Sequence, residues 1–252
     1  VIRAVVVDMD DTLCLTEAVC FELENEVLTR IGRAPMSRGV HMSTWGQPLL
    51  DAMPRRSPGV DLTAFAAVYQ VVLREYVGDG QLDVVAPENL RALDELAAEG
   101  RSVMLLTSRT EGEVEHLLAP DHVLAGRLSA VYHAGNTRFG KPDARAFDEL
   151  LAATGLRPRQ CLYVGDSPGD AQAANGAGLR FIASLQSGVR RRADFDAHHV
   201  DAFIDAFPDL VGAVARLDGQ GPGGALPHIE GRPDASPTAG GPTAARSRAT
   251  AS

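Results

Sequence analysis

The chain has 252 residues, 45% of them hydrophobic, which suffices for one large α/β domain carrying a small insert or for two small domains. A formal net charge of −9 argues against a grip on nucleic acid or an anionic membrane surface, since either needs a clustered positive field. No apolar run approaches the roughly 20 residues of a membrane-spanning helix, and the chain enters a strand-like segment without a basic prelude, so a cytoplasmic protein is expected.

Arg3 to Val7 is a β-branched, nearly continuous apolar run that stops at Asp8, the pattern of a central parallel strand buried on both faces. From Thr16 to Gly80 no strand pattern appears. Helical periodicity covers Glu17–Ile31 and Leu62–Val77, and the stretch between them, Gly32 to Val60, is rich in Gly, Pro and Ser. A connection this long predicts a helical cap over residues 16–80, inserted into an α/β core made of 1–15 and 81–217. Within the cap, Trp45 and Gln47 flank Gly46 on a loop and are candidate substrate contacts, although packing of cap on core explains the Trp equally well. His41 reads as a surface histidine.

Beyond the cap, apolar runs ending in a polar residue recur at Ser102–Thr107 and Cys161–Asp166, with weaker strand patterns at Ala130–His133 and Arg180–Ala183. Between them lie helical patterns at Pro87–Glu99, Glu111–Leu118, Asp143–Thr154 and Pro168–Ala177, several opened by Pro and closed by Gly. Lys141 opens the third of these. Strands alternating with helices predict a doubly wound, parallel-sheet, Rossmann-like fold whose ligands bind at the carboxyl ends of the strands. Arg190-Arg191-Arg192, followed by Asp194 and Asp196, reads as a solvated turn, and His198-His199 as the edge of a late strand. Past Leu217 the composition shifts to Gly, Pro, Ala, Ser and Thr, which predicts a disordered tail over 218–252. The three cysteines, Cys14, Cys20 and Cys161, lack zinc or disulfide spacing and are expected to be reduced and packed in the core.

Such a sheet brings Asp8 and Asp10, Thr107, and Asp166 with Asp170 to one crevice. Four carboxylates there repel one another and are tolerable only beside a cation. Oxygen ligands without His or Cys favour a hard ion such as Mg2+, which bridges carboxylates to a phosphate. Lys141 supplies a second positive charge, and a phosphoryl group is the anion that suits the site.

Taken in order, Asp8-x-Asp10-x-Thr12 after an apolar strand, a strand ending at Thr107, Lys141-Pro142, and Gly165-Asp166-x-x-x-Asp170 resemble the four motifs of the haloacid dehalogenase (HAD) superfamily. The cap between the first two motifs is similar to that of the subgroup with phosphoglycolate phosphatases and β-phosphoglucomutases. The resemblance implies a magnesium-dependent phosphatase acting on a small phosphorylated metabolite, with Asp8 as nucleophile and Asp10 as acid and base. It implies metal held by Asp8, Asp166 and the backbone carbonyl of Asp10, and Asp170 orienting Lys141 or a metal-bound water. Thr107 and Lys141 would stabilise the phosphoryl oxygens, helped by the Ser108 amide, with Ser108 and Arg109 as further substrate contacts. Asp170 as a plain first-turn helix acid and Asp11 as a cap of the following segment are the competing structural readings.

Dehalogenation is disfavoured because Asp10 is present, and phosphonate cleavage because no lysine occurs between Thr16 and Gly80. A phosphosugar mutase and a non-catalytic binding module on the same fold remain alternatives. A cationic cap residue is absent where Gly46-Gln47 stands, which puts phosphoglycolate itself in question. Monomer and homodimer are both open.

Overall fold

The computed structural model describes residues 1–219, and the tail expected over 218–252 lies outside that range apart from two residues that close the last helix. The first apolar run forms β1 (Ala4–Val7), all four residues buried. The cap follows as α1 (Glu17–Arg30), α2 (Arg38–Met42), α3 (Leu49–Arg56) and α4 (Leu62–Gly78). The core resumes with α5 (Pro87–Ala98), β2 (Ser102–Leu106), α6 (Glu111–Val114) and β3 (Ala130–Tyr132). It is completed by α7 (Asp148–Thr154), β4 (Cys161–Gly165), α8 (Pro168–Ala177), β5 (Arg180–Ser184), β6 (Ala202–Ile204) and α9 (Asp209–Gly219).

The six strands form one parallel sheet in the order β3-β2-β1-β4-β5-β6. The strand order reverses at β1, and Val7 lies opposite both Leu105 and Val164. This registers the ends of the three central strands, so Asp8, Thr107 and Asp166 emerge side by side at the switch point where open α/β sheets bind ligands.

Alternation along β1 explains its unbroken apolar run. Val5 and Val7 face one core with Leu93 and Leu96 of α5 and Leu210 and Val214 of α9, while Ala4 and Val6 face a second with Phe147, Leu150 and the alanines of α8. A third cluster, with Leu23, Val27, Met53, Phe65 and Val72, is the cap's own core. All three cysteines are free and buried. No helix among the described residues is long and apolar enough to cross a membrane.

Three local expectations differ from the structure. The stretch Gly32–Val60 is not bare loop but holds α2 and α3, whose lengths of five and eight residues are too short to show helical periodicity. Ser37 caps the first through its hydroxyl, and tertiary contacts hold both. His198-His199 precede the last strand, which begins at Ala202. Lys141-Pro142 sits in a turn ahead of a short 3-10 segment, Ala144–Phe147, that Asp143 caps.

Helix α8 packs so closely that a β-carbon on Gly176 would meet the Ala144 methyl at 2.8 Å. Helix propensity alone favours alanine there by about 1 kcal/mol. We expect the opposite sign: Gly176→Ala lowers unfolding free energy by about 1–3 kcal/mol through overpacking, measured by urea denaturation.

Candidate active site

The last peptide of β1 hands the chain to Asp8, whose backbone N–H donates to Val164 O at 2.9 Å. Its buried carboxylate meets those of Asp166 and Asp170, one oxygen from each lying within 4.8 Å of the others. Lys141 Nζ lies 2.8 Å from Asp8 Oδ1, 2.7 Å from Asp170 Oδ1 and 2.7 Å from the Tyr163 hydroxyl. Lys141 is the only lysine of the chain; every other one of its 24 basic residues is an arginine. A compact ammonium with three donors suits a site with three acceptors around it, where a planar guanidinium would not.

The electrostatics follow from burial. Loss of solvent pushes the Asp8 carboxyl up to about 7, opposed by Lys141 and reinforced by Asp170 and Asp10. Asp166 is driven well above the usual carboxylate range by burial, then by Asp170 and Asp8. For Lys141, burial works against the charge, but Asp170 and Asp8 prevail and hold it protonated. Asp166 accepts no hydrogen bond from the described residues, whereas Asp170 is fully used: Oδ2 accepts from Ser167 N at 3.0 Å and Ser167 Oγ at 2.7 Å. Asp170 is thus both a first-turn helix acid, at the N3 position of α8, and the residue that orients Lys141. Gly165 makes this possible, since a β-carbon there would lie 2.7 Å from Asp170 Cγ.

Asp10 faces elsewhere. Arg109 Nε donates to Oδ2 at 3.0 Å and Nη2 to Oδ1 at 2.6 Å, and Thr16 Oγ1 donates to Oδ1 at 2.6 Å. The carboxylate of Asp10 therefore stands outside the cluster of Asp8, Asp166 and Asp170, and only its backbone carbonyl is left for a metal. Arg109, expected to touch substrate, has its guanidinium engaged by Asp10 and, at 2.7 Å, by Asp83. It is buried. Thr107 Oγ1 accepts from Arg109 N at 3.2 Å, which leaves its own proton to donate.

The cap closes over this floor. A cavity of about 130 Å³ is lined by Asp8, Asp10, Lys141, Asp166 and Asp170 below and by Trp45 and Gln47 above, with Ser108 and Arg109 at the side. Thr107 borders the adjoining cavity instead. Trp45 also latches cap to core, its Nε1 donating to Asp11 Oδ2 at 2.7 Å. Asp11 sits at φ 54° and caps α1, its Oδ1 accepting from Thr16 N at 3.0 Å and Glu17 N at 3.2 Å.

Sequence reasoning missed a buried ionic network in the cap. His41, read as a surface residue, is fully buried, its Nδ1 2.8 Å from Glu17 Oε1. Arg56 holds Glu24 through Nη1 at 2.6 and 2.7 Å and Thr44 Oγ1 through Nε at 2.8 Å, and Arg38 pairs with Glu17. Glu17 and Glu24 are seven residues apart, two turns on one face of α1, and acids on the inward face of a helix are the signal that was available. Tyr163 and Asp83 were also missed. A tyrosine in an otherwise apolar central strand needs a partner for its hydroxyl.

An aspartate ending the first strand, a second two residues on, a lysine bridging two carboxylates, and a helical cap above them define a phosphohydrolase that works through an aspartate nucleophile. Residues 2–178 match the family model of haloacid dehalogenase-like hydrolases, and the chain belongs to that family. A phosphoglycolate phosphatase of Rhodospirillum rubrum is 31% identical over 192 residues, 71% of this chain and 78% of the relative. One from Rhodobacter capsulatus is 29% identical over 216 residues, covering 82% of this chain and 96% of the relative. Among solved structures, CbbY from Rhodobacter sphaeroides in complex with phosphate superposes with a TM-score of 0.72 at 19% identity, covering 85% of this chain and all of that one. The chain is accordingly a phosphatase-type enzyme of the HAD superfamily with a helical cap.

Asp83 anchors the side of the site. Burial would raise its carboxyl, but Arg109 and His116, the latter 2.7 Å away, pull it from 3.8 to about 2. A depressed carboxyl contributes stability in full above the ordinary value and loses it as pH falls towards about 2. Asp83→Asn keeps a residue that tolerates the backbone φ of 60° and removes only charge. It should cost about 2–3 kcal/mol at pH 7, less than the usual cost of breaking a buried pair because Asp10 still holds Arg109. In urea melts the gap to wild type should narrow as pH falls from 5 to 3; a gap that widened there would contradict the pairing.

Proposed function

We propose that this chain hydrolyses a phosphomonoester of a small metabolite with magnesium, through an aspartyl phosphate on Asp8. One observation carries the reading: three buried carboxylates gathered around a single ammonium. One positive charge cannot offset three negative ones, and Asp166, buried and without a hydrogen-bond donor among the described residues, is the oxygen ligand left over for a cation. An all-oxygen donor set suits magnesium. Asp8 and Asp166 would hold it by their carboxylates and Asp10 by its backbone carbonyl. Bound there, it would neutralise the transferring group and favour the ionised form of Asp8.

Asp8 attacks phosphorus as the bond to the leaving oxygen breaks, splitting one displacement into two. Asp10 gives its proton to that oxygen and then takes one from the water that attacks the acyl phosphate. Because Arg109 occupies both Asp10 oxygens, the acid step requires Asp10 to turn out of that pair. The Thr107 hydroxyl, the Ser108 amide and Lys141 stabilise the phosphoryl oxygens. Phosphoglycolate, named by the relatives, belongs among the compounds to try; the cap loop carries Gln47, whose Oε1 accepts from Arg55 Nη1 at 3.3 Å.

Purified protein should release phosphate from an aryl phosphate with magnesium, stop on addition of EDTA and recover with excess magnesium. Asp8→Asn should lower kcat by ~10³-fold or more with Tm little changed. Activity indifferent to chelation contradicts the metal role, and an active Asp8→Asn contradicts the nucleophile.

A further inference from the structure

The catalytic cavity does not end at the phosphate site. A second cavity, about 220 Å³, opens beside it and shares Pro48, Leu49, Tyr69, Ser108, Glu113 and Lys141 with its wall. Its remaining lining is mostly apolar, with Leu50 and Ala66 from the cap and Leu106, Phe139 and Ala146 from the core. Glu113 is the only carboxylate lining it among the described residues and is already satisfied: Thr110 N and Oγ1 donate to Oε2 at 2.9 and 2.7 Å, and the Tyr69 hydroxyl to Oε1 at 3.3 Å. An apolar cavity of about 150 Å³ accepts a benzene ring, so this one has room for a ring-sized group.

Charge bears on the same point. Three cations line the catalytic cavity among the described residues, and each is paired: Lys141 with Asp8 and Asp170, Arg109 with Asp10 and Asp83, Arg56 with Glu24. Arg56 has little left to offer, since Nε and Nη2 are spent on Thr44 at 2.8 and 3.2 Å. Arg55, which donates to Gln47 at 3.3 Å, is exposed and does not line the cavity, so a carboxylate or second phosphate buried there on the leaving group would find no unpaired cation in the lining, which is costly.

Resting on the phosphatase reading above, we infer that the natural substrate is the phosphomonoester of an uncharged, largely apolar alcohol of about ring size. The phosphate sits at Asp8 and Lys141, and the alcohol carbon skeleton passes Ser108 into the cavity between α4 and the segment around Phe139. The leaving alcohol is expelled there with the proton supplied by Asp10.

The test compares kcat/KM for three esters of similar alcohol acidity: 2-phenylethyl phosphate, ethyl phosphate and phosphoglycolate, with the full chain and magnesium. The expected order places 2-phenylethyl phosphate about tenfold or more above ethyl phosphate, with phosphoglycolate lowest. Ala66→Phe, which fills the cavity from a half-buried position on α4, should bring the ratio of phenylethyl to ethyl ester back towards one. Phosphoglycolate turned over as well as or better than the phenylethyl ester overturns the inference while leaving the phosphatase reading intact. Phosphate release from none of the three overturns both.

Discussion

A single ammonium holds this site together. Lys141 reaches from the turn ahead of the 3-10 segment to touch Asp8, Asp170 and Tyr163, tying the end of β1, the middle of β4 and the first turn of α8 to one charge. Without it, Asp8, Asp166 and Asp170 would be buried like charges, and their mutual repulsion would neutralise them or pry the strand ends apart. Other features serve this contact. Gly165 is bare so that Asp170 can approach, Ser167 fixes the other oxygen of Asp170, and Tyr163 spends a polar group inside an apolar strand to complete the lysine's partners.

A second ionic chain governs how cap meets core. Asp11 and Asp83, one on each connection between the two, both adopt positive φ; Asp11 accepts across the junction from Trp45 of the cap, and Asp83 accepts from Arg109 of the core. Arg109 in turn clamps Asp10, two residues beyond the proposed nucleophile. The residue proposed as acid and base is thereby linked, through one guanidinium, to the connection on which the cap is carried. The cap's interior is itself braced by buried pairs of Glu17 with His41 and Glu24 with Arg56.

Much of this was legible because central parallel strands read as apolar runs, and the first polar residue after each run marks the crevice. Asp8, Thr107 and Asp166 were found that way, α1 and α4 by periodicity, and α5 and α8 by periodicity with Pro at the start and Gly just past the end. What escaped depended on tertiary contact. Helices α2 and α3 are too short to stand on pattern, and His41 looks like any lone histidine until Glu17 and Glu24 are seen facing it. Arg109 could not be distinguished from a surface arginine without Asp10 and Asp83 beside it. One signal in plain view went unused: a chain that spells its basic residues as arginine everywhere except position 141.

The central claim is that Asp8 carries the phosphoryl group. The direct measurement is to quench the enzyme with acid during turnover, reduce it with borohydride, and sequence the peptides by mass spectrometry. An acyl phosphate is reduced to the alcohol, so the account predicts homoserine at position 8, and its absence when substrate is omitted. Turnover with Asp8 unaltered, or with the modification at Asp10, Asp166 or Asp170, would contradict it.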